Sequence, residues 1–417
     1  MNKRLLALLS MLVIASMALA ACGSTAATEE AAMFECTDAI GCVEVGPGEP
    51  VHIAYALTVS GATASLGEDS KGAVEIAIAD RGGELLGHPI ELTGEDTLCS
   101  AEGGQAAGTK ISADQTIVGV VGTNCSGAAR SAMPLISDAG MVMISPSNTN
   151  PDLTDPNHPD QYDGYFRTAH NDLFQGRIAA EFAYNELGMR KAATIHDGSP
   201  YAESLQRVFA EVFIELGGEV TAQEAINVGD TDMKPVLTSI ASGAPEIIYF
   251  PIFEPEGNLI AAQSREVAGL ETVTLMGADG LFADTFPEAT GSAADGMYLS
   301  GPYVDVNNSA YAEFLTKWAD QIGGVPPSGF HAHAYDATNM LLNGIEAVAV
   351  QGEDGTLYIG RQALRDYLYG VSNYAGLTGN LTCSETGDCA TGEALGVFKL
   401  SQAEVDGAWP PPVFWQP

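Results

Sequence analysis

The chain has 417 residues and a formal net charge of −37, with 54 Asp and Glu against 17 Lys and Arg. A charge this negative repels phosphate backbones, so no nucleic-acid partner is expected. Hydrophobic residues make up 46% of the chain and charged residues only 17%, which excludes general disorder. The length fits two to three domains or one two-lobed unit.

The N-terminus has the pattern of a targeting segment. Lys3 and Arg4 give it a positive start, and a nearly unbroken apolar run leads to Leu-Ala-Ala before Cys22. This ending resembles the bacterial lipobox, in which the signal is cut before the cysteine and the thiol is lipidated. The alternative is a short transmembrane anchor, but the run is marginal against the ~20 apolar residues that a span needs. We therefore predict a signal peptide over residues 1–21 and a lipid on Cys22.

The remaining cysteines form an even set, which suits an oxidising compartment. Two pairs are near neighbours flanked by Gly, Asp and Thr, as in loop-closing disulfides. The third pair follows two predicted strands, whose ends a parallel sheet would place side by side. Metal binding is the alternative, but the sequence has no C-x-x-C and no His pair beside the cysteines. We predict three disulfides: Cys36–Cys42, Cys99–Cys125 and Cys383–Cys389.

The segment that follows Cys22, up to Pro50, is small, polar and acidic. This composition predicts a flexible tether with one disulfide-closed loop. With the lipidated cysteine, residues 22–50 would hold the rest of the chain off a membrane.

From Val51 onward, apolar strand-like runs alternate with segments of helical period. Several runs are continuous in Val and Ile, as in parallel strands buried on both faces. Strands are predicted at Val51–Leu57, Ile90–Thr93, Thr116–Gly122, Met141–Ser145, Ala192–His196, Glu246–Phe250, Thr272–Met276 and Gly296–Ser300, and helices at Lys71–Arg81 and Tyr201–Leu216. The alternation predicts a doubly wound α/β architecture, and the number of strands predicts two such lobes.

The strand-to-helix turns are the candidate site, because ligands of open parallel sheets bind beyond the carboxyl ends of the strands. These turns contain hydroxyls, small residues, a few aromatic side chains and the carboxylates Asp197, Glu254 and Asp279.

Several motifs in the turns follow one another in a fixed order: SGATASLG, the Cys99/Cys125 pair, MISPSNTNPDLT, FRTAHND and MGADG. From about Val51 to the C-terminus, the chain resembles the branched-chain amino-acid (leucine/isoleucine/valine) substrate-binding proteins of ABC transporters. The resemblance implies a type I periplasmic-binding fold, an α/β protein of two doubly wound parallel-sheet lobes joined by a hinge of three crossovers.

The resemblance also implies the domain boundaries. Crossovers are expected near Thr168, near Pro302 and around Thr391. The first lobe would then contain residues 51–168 and 303–390, and the second lobe residues 169–302 and 391–417.

In the first lobe, three residues match ligand-binding positions of the family. Ser126 would donate its hydroxyl to the ligand's α-carboxylate at a helix N-terminus, where the partial positive charge favours an anion. The carbonyl of Ser147 would accept from the α-ammonium, and Thr149 would offer its hydroxyl and backbone to the zwitterion. From the residues alone, Ser126 is also suited to be a helix N-cap, and Ser147 and Thr149 to be ordinary turn residues.

In the second lobe, Asp279 matches a carboxylate, commonly Glu, that pairs with the ligand's ammonium. Asp is one methylene shorter, so the lobe must approach more closely or use water. Tyr201 and Phe253 match residues that cover the ligand, and Leu66 stands where many members have an aromatic residue. This lining favours an apolar ligand side chain. The alternatives are a turn or cap role for Asp279 and core packing for the two aromatic residues.

Two other groups of polar residues carry no predicted chemistry. His331 and His333, near Asp336, have a spacing that does not put both rings on one helix face, so no metal site is expected. The run His196-Asp197-Gly198-Ser199 cannot form a catalytic triad along one turn, and the sequence has no nucleophile elbow or P-loop.

We therefore expect an extracytoplasmic, lipid-anchored binding protein, not an enzyme, that is monomeric and has no cofactor. It would capture a small amino acid of the branched-chain or neutral type by hinge closure and deliver it to a separate membrane permease with its ATPase. The alternatives are the same fold binding amides, urea or aromatic acids, and a sensory receptor that signals to a partner. An exported hydrolase is disfavoured because no nucleophile, base and orienter can be assembled.

Overall fold

The computed structural model describes residues 35–390 and 394–417. The predicted signal peptide over 1–21, the lipid on Cys22 and the first part of the tether lie outside these residues. The third crossover, around Thr391, also lies outside them.

The last part of the predicted tether is folded, which corrects the expectation of a flexible segment over 22–50. Strand β1 (Cys42–Val45) pairs antiparallel with Leu357–Gly360. Val43 and Val45 are each 3% exposed, because alternate residues of this strand point into the core. The chain is therefore held against the folded body from residue 42 onward.

The first sheet has six strands and is parallel except for one short antiparallel pair at its edge. In spatial order the strands are β3 (Glu84–Leu85), β4 (His88–Asp96), β2 (Val51–Leu57), β5 (Ile117–Gly122), β6 (Val142–Ser145) and β7 (Tyr165–Arg167). The intervening helices are α1 (Ala64–Asp80), α2 (Ala101–Ala113) and α3 (Ser126–Asp138), and a 3₁₀ turn covers Pro151–Leu153. The buried runs of Val and Ile in β2 and β5 form the predicted two-sided core.

Helix α1 begins at Ala64, seven residues before the predicted start at Lys71. Its first turns consist of small and polar residues and lack the apolar period on which the prediction relied. The small residues serve close packing. A Cβ atom on Gly67 would lie 1.9 Å from the Thr58 carbonyl oxygen, so only glycine lets the helix approach the end of β2.

The Cys99–Cys125 disulfide forms as predicted, but its strands are not direct neighbours. Cys99 follows β4 and Cys125 follows β5, and β2 lies between these strands. The disulfide therefore spans the end of β2. The predicted Cys36–Cys42 and Cys383–Cys389 disulfides are also formed.

After β7 the chain crosses to a second sheet. The strands that follow are β8 (Lys191–His196), β9 (Glu219–Ala225), β10 (Ile247–Tyr249), β11 (Thr274–Gly277) and β12 (Tyr298–Pro302). The helices are α4 (Asp172–Glu181), α5 (Pro200–Glu215), α6 (Lys234–Ala241), α7 (Glu256–Ser264) and α8 (Thr285–Thr290), with a π-helical turn at Phe182–Glu186 and 3₁₀ turns at Asp279–Leu281 and Gly291–Ala293.

After β12 the chain leaves the second sheet. It forms α9 (Ser309–Gln321), α10 (His331–Val348) and α11 (Arg361–Tyr369), with the short strands β13 (Ala349–Gln351), β14 (Leu357–Gly360), β15 (Tyr374–Gly376) and β16 (Gly379–Leu381). Helix α10 packs against α1 and covers one face of the first sheet.

The last segment completes the second sheet with strands that the sequence analysis did not predict. It contains β17 (Leu395–Lys399), helix α12 (Gln402–Val405) and β18 (Val413–Trp415). The spatial order is β18-β17-β12-β11-β10-β8-β9, and β17 pairs antiparallel with both β12 and β18. The second sheet is thus parallel in its centre and antiparallel at one edge.

Candidate functional site

The strand-to-helix turns of the two sheets meet between the lobes. Ser65 Oγ donates to Asp284 Oδ1 at 2.9 Å, and Asn150 Nδ2 donates to the Pro200 carbonyl at 2.6 Å. Each of these bonds joins a residue at or beside the start of a helix near the first sheet to one near the second sheet. Three predicted ligand residues are next to these bonds in the chain: Leu66 follows Ser65, Thr149 precedes Asn150, and Tyr201 follows Pro200.

Ser126 is the first residue of α3, and it does not cap the helix. The N-cap is Cys125, whose side chain makes no capping bond. Ser126 Oγ instead accepts from the Asn150 backbone N–H at 3.3 Å, which leaves its O–H free to donate. The N-cap alternative for Ser126 is therefore wrong, and its hydroxyl lies at the positive end of a 13-residue helix.

Ser147 and Thr149 lie on the turn after β6, and both are buried. The Ser147 hydroxyl is held within the lobe, because it donates to the Asn124 carbonyl at 3.1 Å and accepts from Asn124 Nδ2 at 3.1 Å. The Thr149 hydroxyl has no hydrogen bond of good geometry within the described residues. Of the two hydroxyls, only that of Thr149 remains available for a ligand.

Asp172, which the sequence analysis did not select, lies beside Thr149. It is the first residue of α4, it is fully buried, and its N–H donates to the Thr149 carbonyl at 2.9 Å. Among the described residues, neither carboxylate oxygen has a hydrogen bond of good geometry. Burial raises the pKa of Asp172 well above its usual range, the charge of Asp279 raises it further, and the Thr149 hydroxyl acts in the opposite direction.

Asp279 is 5% exposed and lies at the end of β11. Its Oδ1 accepts from Tyr201 Oη at 2.9 Å and from Gln175 Nε2 at 2.6 Å. Burial raises the pKa of Asp279 to about 6, although these two bonds act to lower it. Tyr201 Oη also accepts from the Gly280 N–H at 3.1 Å, so the tyrosine is fixed to the same turn.

An apolar wall adjoins these polar groups. Leu66 is buried with Cys125, Ala169 and Phe330, and Phe253 packs against this cluster. The rings of Phe253 and Tyr201 lie 4.8 Å apart between centroids. The structure thus brings the predicted Leu66, Phe253 and Tyr201 together.

His331, His333 and Asp336 do not converge on one point. His331 bonds Asp69 and Tyr311, and Asp336 accepts from the backbone N–H groups of Leu377 and Thr378. The described part of the chain has no group of three or more His, Cys, Asp or Glu that could hold a metal ion.

The run from His196 to Ser199 has turn and cap roles. Ser199 Oγ accepts from the Ala202 N–H and caps α5, and Asp197 accepts from the Ser199 N–H. His196 Nδ1 accepts from the Gly198 N–H. These side chains serve the local backbone.

A family model described as periplasmic binding protein matches residues 50–403. The chain belongs to the periplasmic binding protein family. The leucine-, isoleucine-, valine-, threonine-, and alanine-binding protein of Pseudomonas aeruginosa is similar to it, with 28% identity over 347 residues that cover 82% of this chain and 87% of that protein. These matches confirm the resemblance to branched-chain amino-acid substrate-binding proteins of ABC transporters, and they support an extracytoplasmic location.

Solved structures confirm the fold. The leucine binding protein LivK from Thermotoga maritima has a TM-score of 0.75 at 25% identity and covers 84% of this chain and 95% of its own. A solute-binding protein of an ABC transporter from R. palustris, in complex with benzoate, has a TM-score of 0.71 at 23% identity, with coverage of 84% and 93%. The names of these two proteins give different ligands, leucine and benzoate.

Within the described residues, no helix is both long and apolar enough to cross a membrane.

Proposed function

We propose that this protein captures a small neutral amino acid of the branched-chain type between its lobes and delivers it to the permease of an ABC transporter. The observation that carries the proposal is the pair of buried carboxylates, Asp172 and Asp279. In the described chain, no Lys, Arg or His side chain forms an ion pair with either of them. Burying an acid without an ion-pair partner is costly, and an α-ammonium group would supply the charge that the Asp279 carboxylate needs.

The opposite end of the ligand would lie on the first lobe. The free O–H of Ser126, at the N-terminus of α3, suits an α-carboxylate. The Thr149 hydroxyl, beside Asp172, would contact the α-carboxylate or the ammonium. The Ser147 carbonyl remains a proposed acceptor for the ammonium.

The ligand side chain would contact the apolar wall. Leu66, Phe253 and Tyr201 offer no charge to a side chain placed among them, which favours a neutral, apolar ligand. The Pseudomonas aeruginosa relative and LivK are named for ligands of this kind, which supports the same class here.

Capture would proceed by closure of the two lobes about the crossovers. Contacts such as Ser65–Asp284 and Asn150–Pro200 exist only when the lobes meet, so a ligand that bridges the lobes would favour the closed form. A lipid on Cys22 would keep a monomeric protein at the membrane that contains the permease. The chain would act as a binding protein and not as an enzyme.

A thermal-shift screen of the refolded protein tests the ligand class, because a bound ligand raises the melting temperature by mass action. Unfolding and refolding first remove any co-purified ligand. The panel contains leucine, isoleucine, valine, threonine, alanine, 2-hydroxy-4-methylpentanoate, benzoate, urea and acetamide. A shift with the neutral amino acids and none with the 2-hydroxy analogue supports the proposal. A shift with benzoate, urea or acetamide alone contradicts it, and no shift at all favours a sensory receptor for another ligand.

Replacing Ser126 by Ala should weaken amino-acid binding about tenfold, because the ligand's α-carboxylate loses one hydrogen bond. The unfolding free energy should decrease by about 1–3 kcal/mol, because the buried Asn150 N–H loses its acceptor, although Ser126 does not cap α3. Calorimetric titration and urea denaturation measure the two quantities. Ser137→Ala on the same helix removes a hydroxyl that bonds the Asp163 carbonyl, and its affinity should be unchanged. A Ser126→Ala protein with full affinity and low stability would contradict the proposed role.

Affinity for a zwitterionic amino acid should decrease as the pH decreases through about 6. The pKa of Asp279 is about 6, and only its ionised form pairs with an ammonium. Below that pH, affinity should decrease by about tenfold per unit, since one proton must be released on binding. The unfolding free energy of the ligand-free protein should change in the opposite direction, decreasing as the pH increases. The pKa of Asp279 is higher in the folded protein than in the unfolded chain, so below the unfolded pKa this group stabilises the folded protein. That stabilisation is lost as the pH increases through about 6. Titration calorimetry between about pH 5 and pH 8 measures the affinity, and a flat profile would contradict the role of Asp279.

A further inference from the structure

A chain of buried hydrogen bonds leads from the first crossover to Asp279. His170 Nε2 lies 2.5 Å from Gln175 Oε1, and Gln175 Nε2 donates to Asp279 Oδ1 at 2.6 Å. His170 is 4% exposed, and Gln175 is fully buried. His170 lies between the crossover and α4, Gln175 lies within α4, and neither belongs to the set of groups assigned to the ligand above.

The acceptors around Gln175 determine which way its amide points. Gln175 Nε2 also lies 3.1 Å from the Ser300 carbonyl oxygen, which can only accept. The amide nitrogen therefore faces Ser300 and Asp279, and the amide oxygen faces His170. The His170 Nε2 atom must then carry the proton. A neutral ring fits this position, because burial lowers the pKa of His170 to about 4.

The same bonds leave one oxygen of Asp279 for a ligand. Gln175 and Tyr201 both bond Oδ1, and in the described chain no other side chain bonds Oδ2. Asp has a short side chain with only two rotatable bonds, so bonds on one oxygen fix the direction of the other. A ligand's ammonium would be met by an oxygen that is already aimed, which reduces the entropy lost on binding.

We propose that Gln175 is a positioning residue that aims the free oxygen of Asp279 at the ligand's ammonium, and that His170 holds the Gln175 amide in the required orientation. The proposal rests on the proposed function, because it deepens the account of the same site. It predicts that Gln175 discriminates ligands by their ammonium group without touching the ligand.

The variant Gln175→Leu removes both amide groups at similar volume. We expect its affinity for leucine to decrease about tenfold, while its affinity for 2-hydroxy-4-methylpentanoate changes by less than about twofold. The preference for the ammonium should therefore decrease about tenfold. In the ligand-free protein, carboxyl ¹³C NMR should show the pKa of Asp279 increasing from about 6, because a donor that lowers it is lost. Comparison with Asp279→Asn assigns the signal.

Gln206→Leu is the matched control. Gln206 is 5% exposed on α5, and its Nε2 donates to Thr194 Oγ1 at 2.9 Å, away from Asp279. This variant should lose stability without a change in ammonium preference or in the pKa of Asp279. If Gln175→Leu fails to fold, His170→Phe keeps an aromatic ring beside Phe330 but removes both ring nitrogens, including the Nε2–H donor to Gln175. Like Gln175→Leu, this variant should reduce the preference for the ammonium and raise the pKa of Asp279.

The outcomes separate the two proposals. If the wild-type protein binds leucine but Gln175→Leu keeps its ammonium preference and its Asp279 pKa, Gln175 is a core residue and only the positioning role is overturned. If the wild-type protein does not bind any amino acid, the proposed function is overturned. The NMR titration alone then decides whether Gln175 controls the Asp279 carboxylate.

Discussion

Replacing Asp279 by Asn is expected to weaken the binding of a neutral amino acid about 10- to 100-fold, which corresponds to the ~1.5–3 kcal/mol of a hydrogen bond to a charged group. The substitution preserves shape and still accepts from Gln175 and Tyr201 through its amide oxygen. It removes the charge that the ligand's ammonium requires, and Asp172 would be the remaining acid. The variant should remain folded, since removing a buried charge also removes the penalty of burying it.

Titration calorimetry at about pH 8, where the wild-type carboxylate is ionised, measures the difference. Asp320→Asn on the exposed face of α9 is a control with the same change in net charge, and it should bind as the wild type does. The affinity of Asp279→Asn should also depend less on pH than that of the wild type. Equal affinities for the two variants would exclude Asp279 as the ammonium site.

The fold is predictable from the sequence where burial is continuous. Strand β2 has the bounds expected from its apolar run, and β10 lies within its predicted range. Strands β17 and β18 were not predicted, because β17 pairs with β12 across about a hundred positions of sequence and β18 pairs with β17, and short segments carry no periodic signal for such pairing. The start of α1 was missed for a related reason, since close packing on β2 replaces an apolar stripe with small residues.

The site is predictable where a side chain follows a strand. Tyr201 and Asp279 are 78 residues apart in sequence, yet both follow closely on strands of one sheet, β8 and β11, and bond each other. Asp172 and Gln175 were missed because they follow a crossover and not a strand. Their spacing of three places both residues on the same side of a helix. Two polar residues on the buried side of a helix are the sequence signal that could have identified them.

Arg167 is the buried cation of this region, and its replacement by Met should have the largest effect on stability. Its Nε forms an ion pair with Asp388, and its two other nitrogens donate to the Asn150 carbonyl at 2.7 Å and to Thr154 Oγ1 at 2.6 Å. Arg167 is fully buried. The pKa of Asp388 is lowered despite its burial, mainly by the charge of Arg167. The bonds hold the turn that contains Thr149.

We therefore expect Arg167→Met to lower the unfolding free energy by about 3–5 kcal/mol, because it leaves a largely buried carboxylate and a backbone carbonyl without their partner. Urea denaturation in the absence of ligand measures the change. Arg207→Met is the control, since Arg207 forms an exposed pair with Glu211 that should contribute less than about 1 kcal/mol. The double variant Arg167→Met/Asp388→Leu should lose less than the sum of the two single losses, because no buried charge is then left alone. Additive losses, or a loss for Arg167→Met no greater than that of the control, would show that the ion pair does not hold this turn.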